Sequence, residues 1–258
     1  MQEKFIEAVA MLFAEEAFSL ARIWISIVLL IIFAMGLSAG ADDRVVPASR
    51  ILEQIRAGEP VEYDGFTITG DLDLDEMDDY LPSANETSPN DALCYVVESA
   101  TINEEKKIVS SQIQITNSTI RGGVDFNNTK FNRLINIKNT KFEGIAGFRG
   151  AIFKEDAVLS NTQFNQFADF FGSIFCKHAH FNETQFLDYA VFDGAYFANH
   201  TNFSCNFKDI ADFRIAIFNR TADFGGAGFN SDVNFSYMTC YGNGDFQNAV
   251  FNGTADFD

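Results

Sequence analysis

The sequence has no phosphate-binding glycine loop and no zinc-protease motif. It therefore offers no warrant for an enzyme, which needs a nucleophile, an acid–base pair or a metal converging in a cleft. It has only four cysteines, Cys94, Cys176, Cys205 and Cys240, and they share no short spacing. That excludes a metal knuckle and leaves any disulfide pairing unread. A chain of 258 residues does not need disulfides simply to fold, since it can bury a sizeable core in one or two domains. Tryptophan occurs once and tyrosine seven times against 29 phenylalanines, so the usual mixed core is missing and phenylalanine is selected repeatedly.

Evenly spread charge is also missing. The net charge of -18 divides unequally: residues 1–41 carry 2 basic and 4 acidic groups, residues 42–100 carry 3 and 15, and residues 101–258 carry 13 and 17. Most of the excess lies in one short stretch, and the phenylalanine-rich part is close to neutral. Ile23 to Ala41, IWISIVLLIIFAMGLSAGA, is a charge-free apolar run between Arg22 and Asp42, interrupted by no polar residues but Ser26 and Ser38. It reads as a membrane-inserting helix, either a retained anchor or a signal peptide cleaved after Ala39-Gly40-Ala41. The long preceding segment with its four glutamates argues against cleavage, and both readings place residues 42–258 outside the cytoplasm.

What the sequence has in abundance is periodic. From Phe126 a large apolar residue recurs at Phe131, Ile137, Phe142, Phe148, Phe153, Leu159, Phe164, Phe170, Phe175, Phe181, Phe186, Phe192, Phe197 and Phe203. The gaps alternate between five and six. One residue is then missing before Phe207, and Phe213, Phe218, Phe224, Phe229, Phe235, Cys240, Phe246, Phe251 and Phe257 restore the rhythm. The residue two before each of these is small, as at Ala146, Ala168, Ala190, Thr162 and Thr184, with Ile135 and Met238 as exceptions. Residues i and i-2 of a strand share a face, so each repeat sends one large and one small side chain inward and then turns on polar residues. A period of ~5.5 is far from the helical 3.6. The expected fold is an all-β solenoid of short strands.

The segment ADFRIAIFNRTADFGGAGF, residues 211–229, resembles the pentapeptide repeat family, in a phenylalanine-rich variant with alternating five- and six-residue units. The resemblance implies a right-handed quadrilateral β-helix with the large residue inside. With four units to a turn, residues 22 apart stack, giving about seven coils over residues 109–258 and a rod of roughly 30 Å. The expected core includes Phe126, Phe131, Phe148, Phe153, Phe170, Phe175, Phe192, Phe197, Phe213, Phe218, Phe224 and Phe229.

Three segments follow from this reading: residues 1–41 as n-region and membrane segment, 42–100 as an acidic lead-in, and 101–258 as the repeats. Within the lead-in, PASRILEQIRAG predicts a capping helix over residues 49–57, with Ser49 as N-cap and Gly58 as stop. Residues 81–100 read as a polar excursion. DLDLDEMDDY, residues 71–80, has the carboxylates of a calcium loop, but Glu76 replaces the glycine and Pro82 the terminal glutamate. The chain also carries nine Asn-x-Ser/Thr sequons, which this kind of repeat generates by itself. At the last in-phase residue, Phe257, the coil is expected to be open and able to pair with another copy.

Two outward patches emerge from the 22-residue register. His178, His180 and His200 fall together as a weak candidate metal patch, with Asn202 and Ala222 stacked on His180 and His200 rather than a carboxylate. Ile152, Ile174, Tyr196 and Ile217 stack into an apolar stripe, flanked by Lys130 and Thr239, as a candidate contact surface. No cofactor and no nucleic-acid ligand is expected. The expected function is that of a non-catalytic, extracytoplasmic scaffold binding a protein or cell-surface partner. The alternative implied by the family is a DNA-mimicking topoisomerase-binding protein.

Overall fold

The computed structural model describes residues 44–75, 94 and 107–258. Strand β1 (Val45–Pro47) leads into helix α1 (Ala48–Ala57). Strands β2 (Val61–Asp64), β3 (Thr67–Thr69), β4 (Leu72–Asp73) and β5 (Lys107–Val109) then form the four sides of a first coil. Each side founds a parallel sheet running the length of the rod, of eight, nine, eight and seven strands respectively, with β1 laid on β3. The result is a right-handed all-β solenoid of about eight coils. This exceeds the expected seven because residues 61–75 stack in register under the repeats. Val61 pairs with Ile113, Ile68 with Ile120 and Leu72 with Val124, although more than 50 residues separate them in sequence.

Helix α1 begins one residue earlier than expected. Pro47, extended at φ -72° and ψ 142°, occupies the N-cap position, so Ser49 lies within the helix and makes no cap. Gly58 ends it as read, at φ 70°, with its N–H donating to the Ile55 carbonyl at 3.0 Å. Ile51, Leu52 and Ile55 are buried in one continuous core with Val61, Ile68 and Leu72, so the helix covers the apolar top of the first coil. Among the described residues no helix is long and apolar enough to cross a membrane. The expected span at 23–41 lies outside the described residues, as does the excursion 81–100 apart from Cys94.

The alternating gaps are two kinds of corner. Five-residue corners join β2-side to β3-side and β4-side to β5-side strands, and they turn through a left-handed residue. Asn117, Asn128, Asn139, Gly150, Asn161, Gly172, Glu183 and Gly194 recur every eleven residues with φ between 51° and 67°. The N–H that follows closes the turn, as from Ala151 to the Phe148 carbonyl at 3.0 Å. Asparagine and glycine suit these positions because they tolerate positive φ. Between Ile120 and Phe203 the six-residue corners contain no left-handed residue. The missing residue before Phe207 falls in a five-residue corner and removes its left-handed position. There the Cys205 N–H reaches back only two residues, to Phe203, at 2.7 Å, and the ladder register drops from 22 to 21.

Inside, the large residues stack coil on coil. Phe148 on Phe170, Phe170 on Phe192 and Phe192 on Phe213 have centroids 4.8–4.9 Å apart and planes within 4°. Rings from opposite sides meet edge to face, as Phe192 and Phe203 do at 5.0 Å and 82°. All twelve phenylalanines expected in the core are buried. Threonine replaces alanine at the small position where its hydroxyl can donate to a carbonyl of the preceding coil: Thr140 to Ile115, Thr162 to Ile137 and Thr184 to Leu159, at 2.6–2.8 Å.

Candidate interaction surface

With the interior filled by rings, chemistry is left to the outward residues. The aspartate that precedes many of the phenylalanines has a structural task. Asp169, Asp212, Asp223 and Asp245 each accept the backbone N–H two residues on, at 2.8–2.9 Å, and so start the corner. Asp169 also pairs with Arg149 at 2.9 Å, and Asp193 with Arg214. These carboxylates are distributed by turn geometry, which differs from the uniform external charge of a nucleic-acid mimic.

The apolar stripe on the β5 face stacks as expected, Ile152 on Ile174, Ile174 on Tyr196 and Tyr196 on Ile217. It is not an exposed surface. Ile152, Ile174 and Tyr196 are buried, Ile217 is half-buried, and Cys94 packs in the same cluster. Cys94 is disulfide-bonded to Cys176 across 82 residues, with Cα atoms 5.5 Å apart. The chain thus fastens a residue of its own excursion onto this face. No spacing rule reveals that pairing, because it depends on where the excursion returns. The other two cysteines are free: Cys205 is buried in the core, where desolvation pushes its thiol well above the usual range, and Cys240 is partly exposed.

The histidine patch assembles. The His178 ring lies 6.0 Å from those of both His180 and His200, and Asn202 stacks on His180 as the register requires. A carboxylate is present that the sequence reading overlooked. Asp156 Oδ1 accepts the His178 backbone N–H at 3.0 Å and lies 3.3 Å from its Nδ1. Asp156 sits one coil before His178, so the 22-residue register contained it. His178 is thereby engaged by a neighbour rather than held open for an ion.

The acidic lead-in forms a different cluster. Asp73, Asp75 and Asp125 bring carboxylate oxygens within 4.8 Å of one another, Asp125 arriving because it stacks on Asp73. The Lys107 ammonium pairs with Asp75, so a cation is already supplied from within. Partial burial lowers the Lys107 pKa, opposed by Asp125 and Asp73. The remainder of the supposed calcium loop, residues 76–80, lies outside the described residues.

Both six-residue corners send an outward column down the rod. One column holds Asp156, His178 and His200, each carbonyl accepting from the coil before it. The other holds Ile145, Phe167, Tyr189 and Ile210, whose carbonyls accept the N–H groups of Val124, Ala146, Ala168 and Ala190 at 2.8–3.1 Å. Ile145 is 52% and Ile210 43% exposed, Phe167 and Tyr189 are half-buried, and the two rings lie 5.7 Å apart. This column is an exposed apolar ladder, and its recurrence is visible in the sequence. Its members immediately precede the small inward residue, Ala146, Ala168, Ala190 and Ala211, rather than the large one.

Residues 126–174 match the family model described as pentapeptide repeats, in 9 copies. No curated protein and no solved structure matches the chain.

Proposed function

We propose, from the match of residues 126–174 to pentapeptide repeats, that the chain is a pentapeptide-repeat protein and acts as a non-catalytic scaffold held outside the cytoplasm, presenting the outer faces of its coils to a protein or cell-surface partner. The observation that carries this reading is the continuous stack of buried phenylalanines, which fills the interior and leaves the outer columns to make contacts. The Cys94–Cys176 disulfide supports the location, because such bonds persist in oxidising compartments. The apolar run at 23–41 supplies the means of export or tethering.

Fractionation of cells expressing the full chain, with protease added from outside, tests the location. Recovery with the envelope and external cleavage is the expected result. Recovery from the cytosol with Cys94 and Cys176 reduced would overturn it. Affinity capture from that envelope tests the scaffold role, with a recurrent, stoichiometric partner as the expected outcome. Potent inhibition of topoisomerase supercoiling by the full chain would favour the nucleic-acid-mimic alternative, which the turn-bound aspartates and the nearly neutral repeats oppose.

A further inference from the structure

We infer that the column Ile145–Phe167–Tyr189–Ile210 is a docking surface for a basic amphipathic α-helix of a partner protein, lying along the rod. The inference rests on the scaffold reading and names the partner's chemistry. The column lies at a six-residue corner, so its side chains project from an edge of the rod rather than lie flat on a face. The neighbouring column presents Asp188 and Asp209, both exposed, and Asp232 ends the apolar column itself. One oxygen of Asp188 and one of Asp209 accept the next backbone N–H, at 2.7 and 2.8 Å, which holds each carboxylate beside the apolar ladder. On the other flank Asp212 accepts from the Tyr189 hydroxyl at 3.3 Å. Of the nearby cations, Arg149 and Arg214 are paired with Asp169 and Asp193, and Lys208 is exposed beside Asp209, so the acidic character of this edge rests on Asp188 and Asp232 as well.

Spacing selects the partner's secondary structure. Successive rungs are ~4.8 Å apart, so the four side chains span ~14 Å. An α-helix presents a side chain on one face about every 5.4 Å, so positions i, i+3 or i+4, i+7 and i+11 cover ~16 Å and stay within reach of all four rungs. An extended peptide presents alternate side chains every ~6.7 Å and runs ~20 Å over the same four, losing register after two. Charge selects the partner's sign. Two copies of this edge facing each other would oppose Asp188 and Asp209 with their like, whereas lysine or arginine beside a helix's apolar stripe would meet them with opposite charge.

The test is a titration of the full chain with fluorescent peptides, read by anisotropy. The probe is an 18-residue Leu/Lys peptide with leucine at the helical positions above; the comparators are the same peptide with glutamate for lysine, and a strictly alternating Leu/Lys peptide. Saturable binding of the helical basic peptide is expected. Phe167→Gln/Ile210→Gln should weaken it at least ~10-fold, and Asp188→Asn/Asp209→Asn should weaken it and flatten its salt dependence. These side chains lie outside the core, and thermal melts matching the parent check that the variants fold. Unchanged affinity in Phe167→Gln/Ile210→Gln would overturn the inference, as would equal binding of either comparator or preferential binding to phosphatidylcholine vesicles. Envelope capture separates this failure from failure of the scaffold reading. A partner retained by Phe167→Gln/Ile210→Gln sinks the docking surface alone, while no partner for the parent chain sinks the scaffold role.

Discussion

Phe192→Ala in the middle of the rod, compared with Phe251→Ala in the last coil, measures what the phenylalanine stack contributes. Phe192 is completely buried, stacked between Phe170 and Phe213 at 4.8 and 4.9 Å, and met edge-on by Phe203, Phe181 and Phe186 at 5.0, 5.4 and 5.8 Å. Truncating a buried phenylalanine costs ~3–5 kcal/mol through lost transfer energy and the cavity left behind. Ring pairs contribute ~0.5–1.5 kcal/mol each beyond area, non-additively, and the ladders on all four sides keep neighbouring coils from closing the gap. A loss of ~4–5 kcal/mol is therefore expected. Phe251 is 36% exposed and stacks on one ring only, Phe229 at 5.0 Å, with Phe246 and Phe257 beyond 6 Å. Its truncation should cost ~1–2 kcal/mol. Urea unfolding followed by far-ultraviolet circular dichroism compares the three chains. A Phe192→Ala loss below ~2 kcal/mol, or one equal to that of Phe251→Ala, would refute the argument that stacking from both sides dominates stability.

Two further outcomes follow from the chemistry of single groups. In the native oxidised chain a thiol reagent should modify Cys240 readily and Cys205 only on unfolding, since Cys205 is buried with its pKa raised by desolvation. Rapid modification of Cys205, or four reactive thiols, would contradict the core packing or the Cys94–Cys176 bond. Asp64 accepts hydrogen bonds from Asn117 Nδ2 and Thr116 Oγ1, which lower its pKa below the usual carboxylate value. The folded pKa is the depressed one, so whatever stability Asp64 contributes is fully present above its unfolded value and is lost as pH falls through the folded value. Carboxyl-carbon NMR should show Asp64 titrating low in the parent and moving up in Asn117→Ala; no movement would remove the asparagine as the cause.

The repeats were legible because their physics is local. A large residue, a small one two places earlier and a polar corner are all set within a few residues, and 22-residue stacking follows from adding four such units. That arithmetic already contained the inward phenylalanines, the histidine column and the contact of Asp156 with His178. It also contained the exposed ladder of Ile145, Phe167, Tyr189 and Ile210, whose members stand beside the small inward alanines rather than beside the phenylalanines. Ser49 does not cap helix α1 because the extended Pro47, two residues earlier, takes the N-cap position.

What the sequence by itself determined was the solenoid, its register and the identity of its interior, since these depend on periodicity alone. Tertiary structure alone decided what depends on long returns of the chain. Residues 61–75 became a first coil only because β2, β3 and β4 lie against strands some 50 residues later, and Asp73 met Asp125 for the same reason. The apolar column on the β5 face, read as an open surface, is buried, and Cys94, bonded to Cys176, packs in the same cluster. No period connects residue 94 to residue 176; only the path of the chain in space does.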